Sequence, residues 1–133
     1  MARTFMQMVQ EARANVPAIS SADAAKRLRE NPNILLLDVQ DAGDIATCGL
    51  IPGAVPISLG MLAIRADLEL PENARDARLK DRSRPVIVTC GAGGQAALGA
   101  YTLKQMGFSD VSFMDGGMRA WKESGLPTEA FKP

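Results

Sequence analysis

A chain of 133 residues can bury one hydrophobic core without disulfides or a structural metal, and its 15 Lys+Arg and 15 Asp+Glu are scattered, leaving no basic stripe for nucleic acid. Two cysteines, Cys48 and Cys90, and no histidine argue against a zinc site built from Cys and His and exclude a nucleophile activated by histidine. No apolar run approaches the roughly 20 residues of a membrane-spanning helix and the start does not read as a signal peptide, so the expectation is a cytoplasmic protein with free thiols, no nucleic-acid partner and no membrane association.

Phe5, Met8, Val9, Ala12 and Val16 recur at helical spacing and predict an amphipathic helix that Pro17 closes. Residues 1–18 are read as this added helix and 19–133 as the main domain. Ser20 and Asp23 have capping-box spacing, and Ala25 and Leu28 continue an apolar stripe toward Pro32, which predicts a second short helix. Ile34 to Val39 reads as a strand covered on both faces, and Ala54 to Ile57 as a weaker strand that Pro56 places at an edge or a strand start. A helix is expected over Met61 to Leu68, followed by a charged, solvated loop to Arg84. Pro85 to Thr89 is the clearest strand. It runs through Cys90-Gly91-Ala92-Gly93-Gly94 into a helix that begins near Gln95, buries Ala96, Ala100 and Leu103, and is capped by Gly107. Val111 to Met114 predicts another strand and Met118 to Ser124 a last helix. Alternating strands and helices make an α/β domain with a mainly parallel central sheet flanked by helices.

The turn after Cys90 carries the chemistry. Glycines at 91, 93 and 94 permit positive φ and put no side chain in the way, so successive backbone N–H groups can face one concavity. The following helix adds unpaired N–H groups and the positive end of its dipole. Such a cradle suits an anion, and if the anion is the Cys90 sulfur its pKa is expected below the ordinary thiol value. The same residues also fit a blander role, with Cys90 a small buried hydrophobe and the glycines a tight turn.

Leu36-Leu37-Asp38-Val39, Gly49-Leu50-Ile51-Pro52-Gly53-Ala54, Cys90 to Gln95, Gly107-Phe108, Val111, Gly116-Gly117, Ala120-Trp121 and Gly125-Leu126-Pro127 follow one another in a single order. From about Ile19 to Glu129 this set resembles the rhodanese-like sulfurtransferases: their Asp-Val-Arg strand, their Gly-His-Ile-Pro-Gly-Ala segment, their Cys-x-x-Gly-x-Arg active-site loop and their closing Gly-Gly, Ala-Trp and Gly-Leu-Pro. The resemblance implies a three-layer, single-domain rhodanese-like fold. It also implies a two-step reaction in which Cys90 takes a sulfur from a small-molecule or protein donor as a persulfide and passes it to a thiol or other nucleophile. Cys90 is the implied catalytic residue, and Gly91, Ala92, Gly93, Gly94 and Gln95 are the implied substrate-binding residues. No metal or organic cofactor is called for.

Gln40, Leu50 and Gln95 stand where the family pattern has arginine, histidine and arginine. A site without the two arginines is expected to use thiosulfate, a dianion, weakly. A phosphatase or arsenate reductase using a similar cradle would need a bidentate arginine that Gln95 and Ala96 do not supply. The alternative from another class is a catalytically silent rhodanese-like module that binds a partner or senses oxidation. Asp38 is read either as a brace for the loop or as a strand-end cap. Cys48 is read either as a resolving thiol for Cys90 or as packing, and a homodimer through the first helix is left open.

Overall fold

A computed structural model describes residues 2–131. The elements in chain order are α1 (Phe5–Asn15), β1 (Ala18–Ile19), α2 (Ser21–Glu30), β2 (Leu35–Asp38), α3 (Ala42–Cys48), β3 (Val55–Pro56), α4 (Leu59–Ala66), β4 (Val86–Thr89), α5 (Gly94–Gln105), β5 (Val111–Met114) and α6 (Gly117–Glu123). The strands form one sheet of order β1-β5-β4-β2-β3, and every pairing is parallel. Each crossover carries helix, so both faces are covered and the fold is the expected three-layer α/β arrangement.

The apolar strands serve both faces through their period of two. Leu35, Leu37, Val39, Val86, Val88, Cys90 and Phe113 point into the core beneath α1, α4 and α5. Leu36, Ile87 and Met114 point the other way, against Ala24 and Ala25 of α2 and Met118 and Trp121 of α6. Cys90 thus continues the inward row of β4 one residue past the strand. Gly99 of α5 stands over this sheet, where an added Cβ would meet Val39, Leu62 and Val88 at 3.3–3.4 Å, so its missing side chain lets α5 lie close.

The predicted helices and strands occur, with ends shifted by a few residues. Ser20 Oγ caps α2 by accepting from Asp23 N at 3.1 Å. Two elements were not anticipated. β1 is two residues long, too short to show a period. α3 buries only Ile45 and contains Gly43, so it has no apolar stripe to announce it. The charged stretch to Arg84 is also more ordered than a solvated loop. It contains two 3-10 turns, Glu72–Ala74 and Ala77–Leu79, and Leu79 is fully buried. Arg82 donates to Leu79 O at 2.7 Å and Ala66 O at 2.6 Å, while its guanidinium lies 4.7 Å from the Phe108 ring centre. Its arginines therefore cap backbone carbonyls as well as face water. Among the described residues, no helix is long and apolar enough to cross a membrane.

Candidate active site

β4 ends at Thr89, and the chain turns through Cys90–Gly93 into α5. The turn folds around the sulfur. Gly93 adopts φ +106°, and an added Cβ would lie 3.0 Å from Gly116 N, so glycine is required there for both conformation and space. Its N–H donates to Cys90 Sγ at 3.0 Å. The loop carbonyls are turned away and held by the first turn of α6: Met118 N–H donates to Cys90 O at 2.6 Å and Arg119 N–H to Gly91 O at 3.0 Å. Gly117 makes that approach possible, since a Cβ there would stand 2.3 Å from Cys90 O. With the Cys90 and Gly91 carbonyls engaged by α6 and that of Gly93 by Ala97 N of α5 at 3.1 Å, the loop is left to present N–H groups to the sulfur.

The expectation of a lowered thiol pKa is overturned. Cys90 is 1% exposed, and burial pushes its thiol up. The N–H groups of Ala96, Gly93, Ala92 and Gln95 oppose that effect without overcoming it. The cradle exists, but the sulfur sits on an apolar floor at its inner end.

At the neighbouring strand end, Asp38 is fully buried and accepts from Gln40 N at 3.0 Å and from Gln40 Nε2 at 3.1 and 3.0 Å. Burial pushes the Asp38 carboxyl up, against the lowering effect of these bonds. Asp38 therefore braces Gln40 rather than the loop itself. Gln40 in turn faces the loop, with Oε1 3.5 Å from where a Gly91 Cβ would be.

A cleft of about 450 Å³ opens above the sulfur. Cys90, Gly91, Ala92, Gly94 and Gln95 form its floor, so of the predicted site residues only Gly93 acts from beneath, through its N–H. Gln40 forms one wall together with Asp44, Thr47 and Cys48 of α3, and Phe5 of α1 closes another. Asp44 is the one charged side chain in this lining. Leu50 is not in the cleft: it is buried and paired with Glu129 through backbone bonds of 2.9 and 2.8 Å. Arg119 points to Glu123 at 3.6 Å, and Lys122 donates to Cys48 Sγ at 3.6 Å from the rim. Cys48 and Cys90 thus border one cleft, both as free thiols. A larger recess of about 760 Å³, along Arg3, Gln7 and Glu11 of the N-terminal region, holds no nucleophile. Among the described residues, no group of three or more Cys, Asp or Glu is placed to hold a metal ion.

Sequence reasoning missed Phe5, Asp44 and Thr47. Phe5 was seen only as a face of an amphipathic helix, and the other two lie on the unanticipated α3.

Comparison with known proteins extends the picture beyond the loop. A sulfurtransferase from Allochromatium vinosum is 30% identical over 115 residues, covering 86% of this chain and 96% of that protein. The polysulfide-sulfur transferase of Wolinella succinogenes, solved as a 30 kDa homodimer, is 33% identical with a TM-score of 0.75, covering 96% of this chain and 88% of that one. A Rhodopseudomonas palustris protein described as a possible tyrosine phosphatase superposes with a TM-score of 0.89 at 28% identity, covering 97% of this chain and 96% of that one. The family model for the rhodanese-like domain matches residues 21–124, from α2 through α6 and the whole cradle, and the chain accordingly belongs to the rhodanese-like domain family.

Proposed function

We propose that this protein is a sulfurtransferase in which Cys90 carries a sulfane sulfur as a persulfide. The observation that carries the reading is the convergence of backbone N–H groups on Cys90 Sγ, with Gly93 at 3.0 Å and Ala92, Gln95 and Ala96 around it, at the floor of an open cleft. In the first step the Cys90 thiolate attacks the outer sulfur of a donor, a new S–S bond forms, and the leaving group departs with the bonding pair. In the second, an acceptor thiol attacks that outer sulfur and Cys90 leaves as thiolate.

The raised thiol pKa fits this cycle. The resting form is the neutral thiol, at home on an apolar floor. Loading places the negative charge one atom further out, on the terminal sulfur, where the loop N–H groups and the start of α5 can receive it. Gln95 adds a neutral amide donor; Gly91, Ala92, Gly93 and Gly94 supply the rest of the cradle. The reaction calls for no metal or organic cofactor.

A cleft whose one charged lining residue is Asp44 disfavours a small dianion. Persulfides and polysulfides are therefore the proposed donors, in keeping with the Wolinella relative, and a thiol the proposed acceptor. The same absence of a lining arginine argues against phosphatase chemistry, despite the description of the Rhodopseudomonas structure. We further propose residues 1–18 as an added helix on a rhodanese-like unit of 19–133, of which residues 1, 132 and 133 lie outside the described structure. A cytoplasmic setting suits two free thiols. A homodimer is proposed on the likeness to the Wolinella protein.

The second reading, a silent or redox-sensing module, is favoured by the buried, raised thiol. Exposure to inorganic polysulfide followed by intact-mass measurement separates the two. Sulfur transfer predicts a gain of about 32 mass units that dithiothreitol removes. No gain under conditions where free thiols react would leave the silent module standing.

A further inference from the structure

The matched family segment begins at residue 21, so α1 lies outside it, yet α1 reaches the cleft. Its first turn is fixed by a reciprocal cap: Gln7 N donates to Thr4 Oγ1 at 3.1 Å and Thr4 N to Gln7 Oε1 at 2.8 Å. Val9, Ala12 and Val16 bury its inner face in the same core as Cys90. Arg13 bonds Asp115 at 3.1 Å, and Lys104 of α5 donates to Asn15 O at 2.6 Å. The helix is thus anchored along its length, and its first residue is Phe5.

The Phe5 ring lies on bare backbone. Its Cζ and Cε2 stand 3.1 and 3.3 Å from where a Gly94 Cβ would be, at the first residue of α5. Phe5 nonetheless remains 52% exposed as a residue and lines the cleft beside Ala92 and Gly94. An aromatic side chain on an anchored helix, touching Gly94 through Cζ and Cε2 while the residue stays half exposed in the cleft lining, offers contact area to an apolar group. Asp44 on α3 brings negative charge to the same cleft.

We infer that Phe5 is a specificity-determining residue: its ring receives the leaving-group end of the sulfur donor, and with Asp44 it selects donors whose leaving group is apolar and carries one negative charge rather than the two of sulfite. This rests on the proposed sulfur transfer at Cys90. The donor class is an organic sulfane compound, such as an aryl or alkyl thiosulfonate or persulfide, rather than thiosulfate. For an arylthiosulfonate, the Cys90 thiolate attacks the terminal sulfur, the Cys90 S–S bond forms, and the bond from that sulfur to the sulfonyl group breaks. The arylsulfinate leaves with the electron pair, and the terminal sulfur keeps its negative charge as the persulfide; the Cys90 sulfur is oxidised to the persulfide level, the donor is reduced to the sulfinate, and no other oxidant or reductant is needed.

Three probes separate charge from contact: benzenethiosulfonate, methanethiosulfonate and thiosulfate, with the rate of Cys90 loading read by intact mass. Benzenethiosulfonate should load faster than methanethiosulfonate by about fivefold, the factor that the ~1 kcal/mol of an aromatic pair converts to. Phe5→Ala should bring that ratio near one, and Phe5→Leu should leave an intermediate ratio while keeping an apolar residue against Gly94. Asp44→Asn should speed thiosulfate relative to methanethiosulfonate and leave the benzene-to-methane ratio as it is. A benzene-to-methane ratio that is unchanged in both Phe5 variants, while every probe still loads Cys90, overturns the role of Phe5 alone. Failure of all three probes to load the wild-type protein overturns sulfur transfer and this inference with it.

Discussion

Two adjacent strand ends solve the same problem differently. β2 and β4 run parallel with Asp38 opposite Thr89, and at that level on β2 and one residue past it on β4 each strand end holds a buried group that can carry negative charge. At β2 the group is the Asp38 carboxylate, and a side chain, Gln40, supplies most of its donors. At β4 it is the Cys90 sulfur, and the backbone itself supplies them, because Gly93 can take a left-handed φ and α6 can grip the loop carbonyls. Backbone donors leave the space above the sulfur empty. The side-chain solution fills its own space, so only the β4 end can admit a reactant.

The largest effect should come from adding a methyl group to the backbone solution. Gly117→Ala places a Cβ 2.3 Å from Cys90 O at φ +55°, and should cost about 2–4 kcal/mol of stability and most sulfur loading. Gly43→Ala, on α3 beside the β2 end, meets nothing within 4 Å and should be neutral or stabilising by about 0.5–1 kcal/mol. Denaturant unfolding of the pair checks both signs.

Next comes charge in the cleft. Gln95→Arg should raise thiosulfate turnover roughly tenfold, since a charge-assisted hydrogen bond is commonly worth about 1.5 kcal/mol, and the gain should fade as salt rises. Robust wild-type thiosulfate activity with no gain from arginine would mean that a cation reaches the site by another route, Lys122 at the rim being the first to test.

A smaller effect is expected at the β2 end. The Asp38 carboxyl is raised in the folded state, so the folded protein holds that proton more tightly than the unfolded chain does. Its stabilising contribution is full below the unfolded pKa and is lost as pH rises through the folded one. Asp38→Asn keeps an acceptor for Gln40 N and removes the charge. Relative to wild type, its thermal midpoint should therefore improve by up to a few degrees on going from pH 4 to pH 7. A relative midpoint that falls over this range would show that the carboxylate is needed in its charged form.

Smallest is the role of Cys48. If it resolves an oxidised Cys90, mild peroxide should yield a Cys48–Cys90 disulfide in peptide maps; its absence would leave Cys48 as packing beside Lys122.

The sequence revealed the β4 end more fully than its surroundings, and the reason is local. Strand, cysteine, glycines and helix are consecutive, so their geometry follows from neighbouring residues, and the family pattern lies on the same stretch. Phe5 and Gly94 meet only through tertiary packing, which no local period encodes. α3 shows no stripe, so Asp44 and Thr47 went unseen. The direction of the Cys90 pKa could not be read from the loop because two opposed effects set it: the N–H donors are implied by the glycines, but the burial that outweighs them comes from the core beneath α1 and α5. Leu50 illustrates a different gap. In the sequence it marks only a departure from the family's histidine, and nothing local announces the bridge to Glu129 that, with its burial, makes it core.

The central claim is that a buried, normally protonated Cys90 is the sulfur carrier. The most direct measurement is the rate of sulfur loading between pH 7 and pH 9, using benzenethiosulfonate, whose charge is constant over that range, on wild type, Cys48→Ser and Cys90→Ser. Because the raised pKa leaves the thiolate a minor species, loading of wild type and Cys48→Ser should climb by about tenfold per pH unit until that pKa is reached, and Cys90→Ser should gain no sulfur. Loading of Cys90→Ser at the wild-type rate would contradict the account.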